Sequence, residues 1–218
     1  MSSAVLQLIV LAAIAIFLIL RLRSVLGTRE GFEKPPLDAP APRRTPERDF
    51  TVVEDTPDPD IADHLPADSR AADAVAQMKA VEPDFSLGGF LQGARGAYEM
   101  ILMAYERGDL SDIEPFLAPE VRDSFGAAIA ARQGEGLTVD AEFVGLRDVG
   151  VVDASFDPRS GEAEIKIKFT GELTSVVRNA TGAIVEGSAT EIRRQRDVWT
   201  FARRMGSDDP NWSLVATG

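Results

Sequence analysis

The sequence has no cysteine, one histidine, two tryptophans and two tyrosines among its 218 residues. Without cysteine the chain can form no disulfide, thiolate zinc site, iron–sulfur cluster or cysteine nucleophile. A Ser-His-Asp triad or a histidine-based metal site would have to include the single histidine, His64. These absences exclude most kinds of catalytic centre, and we predict no cofactor and no metal ion.

Basic residues are also scarce relative to acids. The 23 lysines and arginines stand against 35 aspartates and glutamates, which gives a formal net charge of −12 and a pI near 4.6. Because proteins bind nucleic acid through clustered Lys and Arg, this balance argues against nucleic acid as a partner. The hydrophobic content of 44% is enough for a core, and the length suits one or two domains.

The N-terminal segment is apolar. Residues 4–20 carry no charge and consist mainly of Leu, Ile, Ala and Val. In a helix these residues would span roughly 25 Å, close to the ~30 Å hydrocarbon core of a bilayer. A cleaved signal peptide is the competing interpretation, but no basic residue precedes the apolar run and no A-x-A site follows it. We predict a transmembrane anchor over residues 1–26.

The orientation of this anchor follows from the basic residues beside it. Arg21, Arg23 and Arg29 all lie on its C-terminal side. The positive-inside rule therefore predicts that the short N-terminus lies outside and that the rest of the chain lies in the cytoplasm.

Residues 27–84 differ from the anchor in composition. Nine of the 13 prolines lie between residues 33 and 84, where 13 acids face 6 bases and large apolar residues are sparse. Such a segment cannot bury enough surface to offset the entropy of ordering it. We predict a flexible linker over residues 27–84 that allows for a short helix near residues 68–80, and we expect His64 to be solvated.

From residue 85 onward the pattern becomes periodic. Apolar residues at helical spacing from Leu87 to Tyr105 predict a helix of about five turns, with Asp84 as its N-cap and Gly108 as its stop. Pro119 opens a second full helix. The first helix contains glycines that lower its intrinsic propensity and allow another element to approach closely: Gly88, Gly89, Gly93 and Gly96.

The period then changes from helical spacing to alternation. Strands are predicted over residues 137–143 with a continuation to residue 152, over residues 163–169, within residues 182–204, and over residues 211–217. Ile165, Ile167 and Phe169 form the inward set of one of these strands. Helices followed by a run of strands predict an α+β domain over residues 85–218, with helices packed on one face of a curved antiparallel sheet.

Four short segments in order resemble the Tim44-like domain, the C-terminal domain of the subunit that anchors the import motor to the mitochondrial presequence translocase. They are Gly93-Ala94-Arg95-Gly96-Ala97-Tyr98, Gly108-Asp109-Leu110, Trp199-Thr200-Phe201-Ala202-Arg203-Arg204 and Asp209-Pro210-Asn211-Trp212-Ser213-Leu214. The resemblance implies a cone-shaped fold like nuclear transport factor two and the cystatins, with a groove between helices and sheet. It also implies a membrane-side scaffold that holds other proteins and touches anionic lipid.

The N-terminus departs from the mitochondrial members of this family. Residues 1–26 are not amphipathic or rich in Arg and Ser, so they do not have the character of a transit peptide. The chain instead resembles a bacterial form of the domain, anchored in the inner membrane by one uncleaved helix. The expected localisation is the bacterial inner membrane, with the C-terminal domain cytoplasmic.

The aromatic residues are the first candidate site. Alternation sends Trp199 and Phe201 to the same face of a strand, where they can pack in the core. Under the second interpretation, aromatic residues line the groove and contact a peptide or acyl chain. The candidate groove residues are Tyr98, Tyr105, Phe169, Trp199 and Trp212.

A basic cluster within the acidic chain is the second candidate. It comprises Arg193, Arg194, Arg196, Arg203 and Arg204. A solvated strand edge with local ion pairs is one interpretation. The other is a contact patch for anionic lipid headgroups or an acidic protein partner.

No catalytic residue is predicted. The acids of the domain fall in turns or at outward strand positions, and the inward set of residues 165–169 is apolar. We therefore predict a non-catalytic adaptor that docks a protein partner, such as a translocation or membrane-biogenesis factor or a chaperone, at the cytoplasmic face. The alternative is a binder or carrier of a lipid or other small apolar ligand. The sequence leaves the oligomeric state open.

Overall fold

The computed structural model describes residues 58–218. The predicted anchor and most of the predicted linker lie outside the described residues. Within them, four α-helices precede four strands. The helices are α1 (Pro59–Ala62), α2 (Arg70–Val81), α3 (Leu87–Arg107) and α4 (Pro119–Gly134), with a 3₁₀ turn at Glu114–Phe116. The strands are β1 (Thr138–Asp157), β2 (Glu162–Arg178), β3 (Ile184–Arg204) and β4 (Ser213–Thr217).

The strands form one antiparallel sheet in the order β1-β2-β3-β4. Register shifts along β1, at Phe143/Gly145, Leu146/Asp148 and Val151/Asp153, mark bulges, which bend a strand and increase its twist. Helices α2 and α3 pack against β1. The predicted α+β class and antiparallel sheet are confirmed.

The core lies between the helices and the inner face of the sheet. Ile165, Ile167 and Phe169 on β2 are fully buried, as their alternation with charged residues predicts. Trp199 and Phe201 on β3 are buried beside them. The far end of the β2–β3 hairpin projects beyond this core, and Ile184 there is 55% exposed.

The packed region begins earlier than residue 85, which corrects the predicted extent of the linker. Helix α2 buries Val75 and Met78 completely, and Ile61 and Leu65 upstream of it are also in the core. Ser69 caps α2 by accepting a hydrogen bond from the Ala72 N–H. The helix lies where the sequence allowed for a short one, near residues 68–80; its packing in the core was not predicted, because alanine-rich helices bury few large side chains. His64 is exposed, as expected.

Helix α3 is capped at its N-terminus by Ser86 and Asp60 rather than by the predicted Asp84. The Ser86 hydroxyl accepts from the Gly89 N–H at 3.1 Å. The Asp60 carboxylate, from α1, accepts from the N–H groups of Leu87 at 2.7 Å and Gly88 at 2.8 Å. Sequence reasoning missed Asp60 because it lies 27 residues before the helix that it caps.

The Asp60 carboxylate also contacts Lys79, whose Nζ lies 2.9 Å from Oδ2. A Cβ on Gly88 would lie only 3.2 Å from Asp60 Oδ1, so the glycine permits this close approach. Burial alone would raise the pKa of Asp60, but the hydrogen bonds from Gly88, Lys79, Leu87 and Ser86 outweigh it and hold that pKa well below its usual value.

Replacing this carboxylate is expected to destabilise the domain. Asp60→Asn should lower the free energy of unfolding by about 1–3 kcal/mol, because it removes a charge-assisted cap and leaves Lys79 with less compensation. Since the folded-state pKa is depressed, the stabilisation is complete above the unfolded-state pKa of about 3.9 and is lost as the pH falls below it.

Thermal unfolding of the two proteins between about pH 2 and pH 7 measures this difference. The native chain should lose more stability on acidification than Asp60→Asn does. Parallel pH profiles would contradict the role given to this carboxylate.

The C-terminus of α3 is fixed by a glycine and by α4. Gly108 adopts the left-handed conformation, with φ 76°, and ends the helix as predicted. The Arg132 guanidinium from α4 donates to the carbonyl oxygens of Tyr105 at 3.0 Å and Glu106 at 2.9 Å. Both ends of α3 are therefore held by other elements, which keeps this glycine-rich helix in place.

None of the helices found between residues 58 and 218 combines the length and the apolar character that a membrane crossing requires.

Candidate groove beside helix α3

An open groove of about 590 Å³ lies beside the N-terminal part of α3. Its apolar lining includes the aromatic side chains of Phe85, Phe90, Phe116, Phe201 and Trp212. The rings of Phe90 and Trp212 are 4.7 Å apart, and those of Phe90 and Phe201 are 6.0 Å apart. The groove is therefore an aromatic surface assembled from the long helix, the 3₁₀ turn, a buried strand and the loop before β4.

One wall of the groove is a run of small residues on α3 that ends at a methionine, and we call this run the glycine stripe. It comprises Gly89, Gly93, Gly96 and Ala97 and ends at Met100. Their spacing puts them on adjacent turns of one helix face. A Cβ built on Gly93 or Gly96 would meet no atom within 4 Å. The described fold therefore does not need these two glycines for close packing.

The corner of the groove is built by an ion pair. Arg203 Nη2 lies 2.6 Å from Glu82 Oε2, and the Arg203 guanidinium carbon lies 5.5 Å from the centre of the Trp212 ring. The Arg203 side chain is only 7% exposed. Its hydrogen bond holds the pKa of the Glu82 carboxyl below its usual value, with a further contribution from the Gly206 N–H.

Two further polar groups lie at this corner. The Arg203 Nε–H is buried and has no acceptor among the residues that the structure describes. Asp84, which also lines the groove, is exposed. Because this donor is covered, the charge that the groove presents near the N-terminal end of α3 is that of Asp84.

Three of the predicted groove residues are core residues instead, which corrects their assignment. Tyr98 and Phe169 are fully buried and their rings stack at 4.5 Å, while Trp199 is 4% exposed and 4.8 Å from the Tyr98 ring. Strand alternation turns Phe169 and Trp199 toward the helices, so the core interpretation holds for them. Trp212 alone of the five predicted residues lines the groove.

Tyr98 uses its hydroxyl within the core. The hydroxyl donates to Asp197 Oδ2 at 2.5 Å, and burial together with this carboxylate raises the pKa of the phenol, which stays protonated at neutral pH. Gly171 on β2 makes room for the ring, since a Cβ there would lie 2.9 Å from the Tyr98 oxygen. The pair Tyr98–Asp197 is therefore a structural link between α3 and β3.

Tyr105 lies toward the other end of α3. It is half-buried, its ring centre is 4.9 Å from that of Phe125 on α4, and the Arg132 guanidinium lies 5.6 Å above it. These contacts join α3 to α4 and do not reach the groove.

The predicted basic cluster does not form a single patch. Arg203 is buried at the groove corner, while Arg193 and Arg194 are more than half exposed and lie near Glu186 at 3.6 Å and Glu172 at 3.4 Å. Arg196 and Arg204 are exposed. Neighbouring acids thus offset part of the charge, and contact of the exposed arginines with lipid or protein remains a prediction.

The remaining groove residues were missed by sequence reasoning. Phe85, Phe90 and Phe116 were not singled out, because nothing in their spacing distinguishes a groove position from a core position. The signal that was available is the group of glycines in α3, which is unusual for a helix interior. Within residues 58–218 no cluster of three or more side chains suited to a metal ion is found.

Comparison with known proteins gives one family match. The model of the Tim44-like domain matches residues 71–218. No match is found among curated proteins. Among solved structures, the intermembrane space region of the chloroplast protein ARC6 overlaps with a TM-score of 0.37 and 12% identity, over 57% of this chain and 94% of that one. An overlap at this level supports no conclusion about function.

Proposed function

The chain belongs to the Tim44-like domain family, and on that premise we propose that it is a non-catalytic adaptor anchored in the bacterial inner membrane. Its folded domain docks a protein partner at the cytoplasmic face, and the clients are translocation or membrane-biogenesis factors or a chaperone. The anchor over residues 1–26 keeps the bound partner near the membrane. Tethering of this kind raises the effective concentration of the partner, to the millimolar range for a short flexible link.

The observation that carries this proposal is the open aromatic groove. Binding hot spots are enriched in Trp, Tyr and Arg within desolvated pockets. The groove combines Trp212, Phe85 and Phe90 with the buried Arg203. Its exposed acid, Asp84, suits a polar rim, and the other acid of the lining, Glu82, is held by Arg203 and by the Gly206 N–H.

The second candidate function is binding of a lipid or other small apolar ligand in the same groove. The observation that favours it is the volume of about 590 Å³, which is in the size range of small-molecule sites. Protein side chains also fit this volume and lining. The two functions are therefore distinguished by whether protein or lipid is found bound in the groove.

Affinity capture of the full-length chain from solubilised membranes tests the proposal. The expected result is a defined protein in near-stoichiometric amount, absent when residues 1–26 are removed because the partner is met at the membrane. Organic extraction and mass spectrometry of the same sample measure bound lipid. A stoichiometric lipid with no protein would favour the second function.

Trp212→Ala is expected to reduce partner capture at least tenfold, since truncation of a central aromatic anchor typically costs about 2 kcal/mol or more of binding free energy. The control is Ile184→Ala, which truncates an exposed apolar side chain on the projecting hairpin. Trp212 is half-buried against the core, so thermal unfolding of both variants is measured first to show that each is folded. Quantitative capture should show a loss for Trp212→Ala and none for Ile184→Ala. Equal capture by both variants would remove the groove from the interface.

A further inference from the structure

We infer that the occupant of the groove is an α-helix of the partner protein, lying antiparallel to α3 along the glycine stripe with a basic residue in its last turn beside Asp84. The inference deepens the proposed function and rests on it. It assigns the form, direction and charge of the segment that binds, none of which follows from the presence of a groove.

The glycines of the stripe lower the stability of α3 as a helix. A glycine inside a helix is about 1 kcal/mol less favourable than alanine. Gly93 and Gly96 bring no compensating contact, because a side chain at either position would project into open space. Gly88 differs, since its missing side chain makes room for Asp60. Small residues on an exposed helix face allow another backbone to approach closely, and this is the use that remains for Gly93 and Gly96.

The length of the stripe and the pairing of the nearby strands favour a helix as the occupant. From Gly89 to Met100 the stripe covers 11 residue steps, which correspond to roughly 16 Å or three helical turns. The groove offers little free strand edge within the described residues, because Phe201 is paired on both sides, with Ile165 and Leu214, and Arg203, the other strand residue of the lining, is paired with Ala163. An extended peptide could not add to the sheet there, whereas a helix needs only side-chain packing.

The direction of the occupant follows from the end of α3 that borders the groove. Glu82, Asp84 and Ser86 line the groove where α3 begins. A helix carries partial positive charge at its N-terminus and partial negative charge at its C-terminus, where basic side chains are favoured. An antiparallel occupant therefore places its C-terminal turn beside this acidic part of the lining and sets its dipole opposite to that of α3.

The charge of the groove favours a basic residue at the end of the occupant. Glu82 is paired with Arg203, which leaves the exposed Asp84 as the uncompensated charge among the groove residues at this end. A Lys or Arg in the last turn of the occupant would face Asp84 and would also be favoured by the dipole of its own helix. An anionic lipid headgroup would meet this negative charge unfavourably, so the same feature argues for a protein segment.

The direction is tested by photocrosslinking in the full-length chain in its native membrane. The photoreactive residue p-benzoylphenylalanine replaces Phe85 in one protein and Met100 in another, so that the glycines of the stripe are kept, and the crosslinked partner peptides are sequenced by mass spectrometry. Both probes should reach one partner segment at sites several helical turns apart, as expected for two helices packed side by side. The Phe85 probe should react nearer the C-terminus of that segment, with a Lys or Arg within one turn.

The opposite order of the two sites, sites scattered over the partner, lipid adducts, adducts with a second copy of this chain, or no adduct at either position would each overturn the inference. If a partner is captured by the full-length chain but crosslinks only elsewhere, the adaptor proposal stands and the helix assignment fails. If no partner is captured, both fail.

A substitution pair tests the glycine stripe independently. Gly93→Leu fills the stripe, whereas Gly126→Leu makes the same change in α4 at a position that also has nothing within 4 Å and lies outside the groove. Both variants should melt at or above the temperature of the native chain, because leucine favours the helix. Gly93→Leu should reduce partner capture at least tenfold and Gly126→Leu should leave it unchanged. Normal capture by a folded Gly93→Leu would overturn the inference.

Discussion

Tyr98→Ala is expected to lower the free energy of unfolding by about 3–5 kcal/mol, the cost of removing a large aromatic ring from a core. Tyr98 is fully buried, stacks on Phe169 at 4.5 Å and packs against Trp199 at 4.8 Å. The vacated volume is bordered by both sheet and helix, so it cannot collapse without moving α3. Because domains are only marginally stable, this loss is a large fraction of the whole.

Tyr98→Phe separates the ring from its hydroxyl. The change keeps the stacking but removes the hydrogen bond to Asp197 Oδ2, and Gln195 then remains as a donor to the other carboxylate oxygen at 3.1 Å. The expected cost is about 1–3 kcal/mol, because a partly buried carboxylate loses one of its partners. Thermal unfolding of the full-length chain in detergent, followed by near-ultraviolet circular dichroism, measures both variants. An alanine variant within 1 kcal/mol of the native chain, a difference typical of surface sites, would contradict the core assignment of Tyr98.

The second large effect is expected at the groove corner. Glu82→Ala should lower the free energy of unfolding by about 2 kcal/mol, because breaking this partly buried ion pair, in which Glu82 is 30% exposed, leaves the covered guanidinium of Arg203 with less compensation. The Arg203 side chain is 7% exposed, and Glu82 Oε2 is its partner at 2.6 Å. Glu82 also accepts from the Gly206 N–H at 3.2 Å, so the variant loosens the turn after β3 as well.

The contribution of Glu82 depends on pH. Its pKa is depressed in the folded state, so its stabilisation is present above the unfolded-state pKa of about 4.3 and declines as the pH falls below that value. The difference in stability between the native chain and Glu82→Ala should therefore shrink on acidification. Glu99→Ala, an exposed glutamate on α3, is the control and should change stability by less than about 0.5 kcal/mol. Equal effects of the two substitutions would contradict the importance of the ion pair.

The fold class could be predicted because local signals are strong in most elements. Alternation on β2 identified the inward set of Ile165, Ile167 and Phe169, and all three are fully buried. Gly108 and Pro119 identified where α3 ends and where α4 begins. These signals depend on residues that are close in sequence, so no knowledge of the tertiary structure was needed.

The groove could not be predicted in the same way, because it depends on residues brought together by packing. The pairing of Glu82 with Arg203 joins positions 121 residues apart, and the cap from Asp60 joins positions 27 apart. Aromatic residues at alternating strand positions serve a core and a groove equally well in sequence. Only the packing of α3 on the sheet decides that Tyr98 is buried and that Trp212 is not.

The extent of the domain was underestimated for a different reason. Average composition over residues 27–84 is rich in proline and acid, so the short helix expected near residues 68–80 was assigned to the linker. That helix, Arg70–Val81, packs through alanines, Val75 and Met78, so its burial depends on a fit to the sheet rather than on many large side chains.

The measurement that tests the central claim most directly is photocrosslinking in living cells with the probe at Trp212 of the full-length chain. Ile184, 55% exposed on the projecting hairpin, is the matched position for a control probe. A membrane-tethered adaptor predicts a discrete protein adduct from Trp212, none of that mass from Ile184, and loss of the adduct when residues 1–26 are removed. Adducts from Trp212 that contain only lipid or a small molecule would contradict the adaptor and favour an apolar carrier.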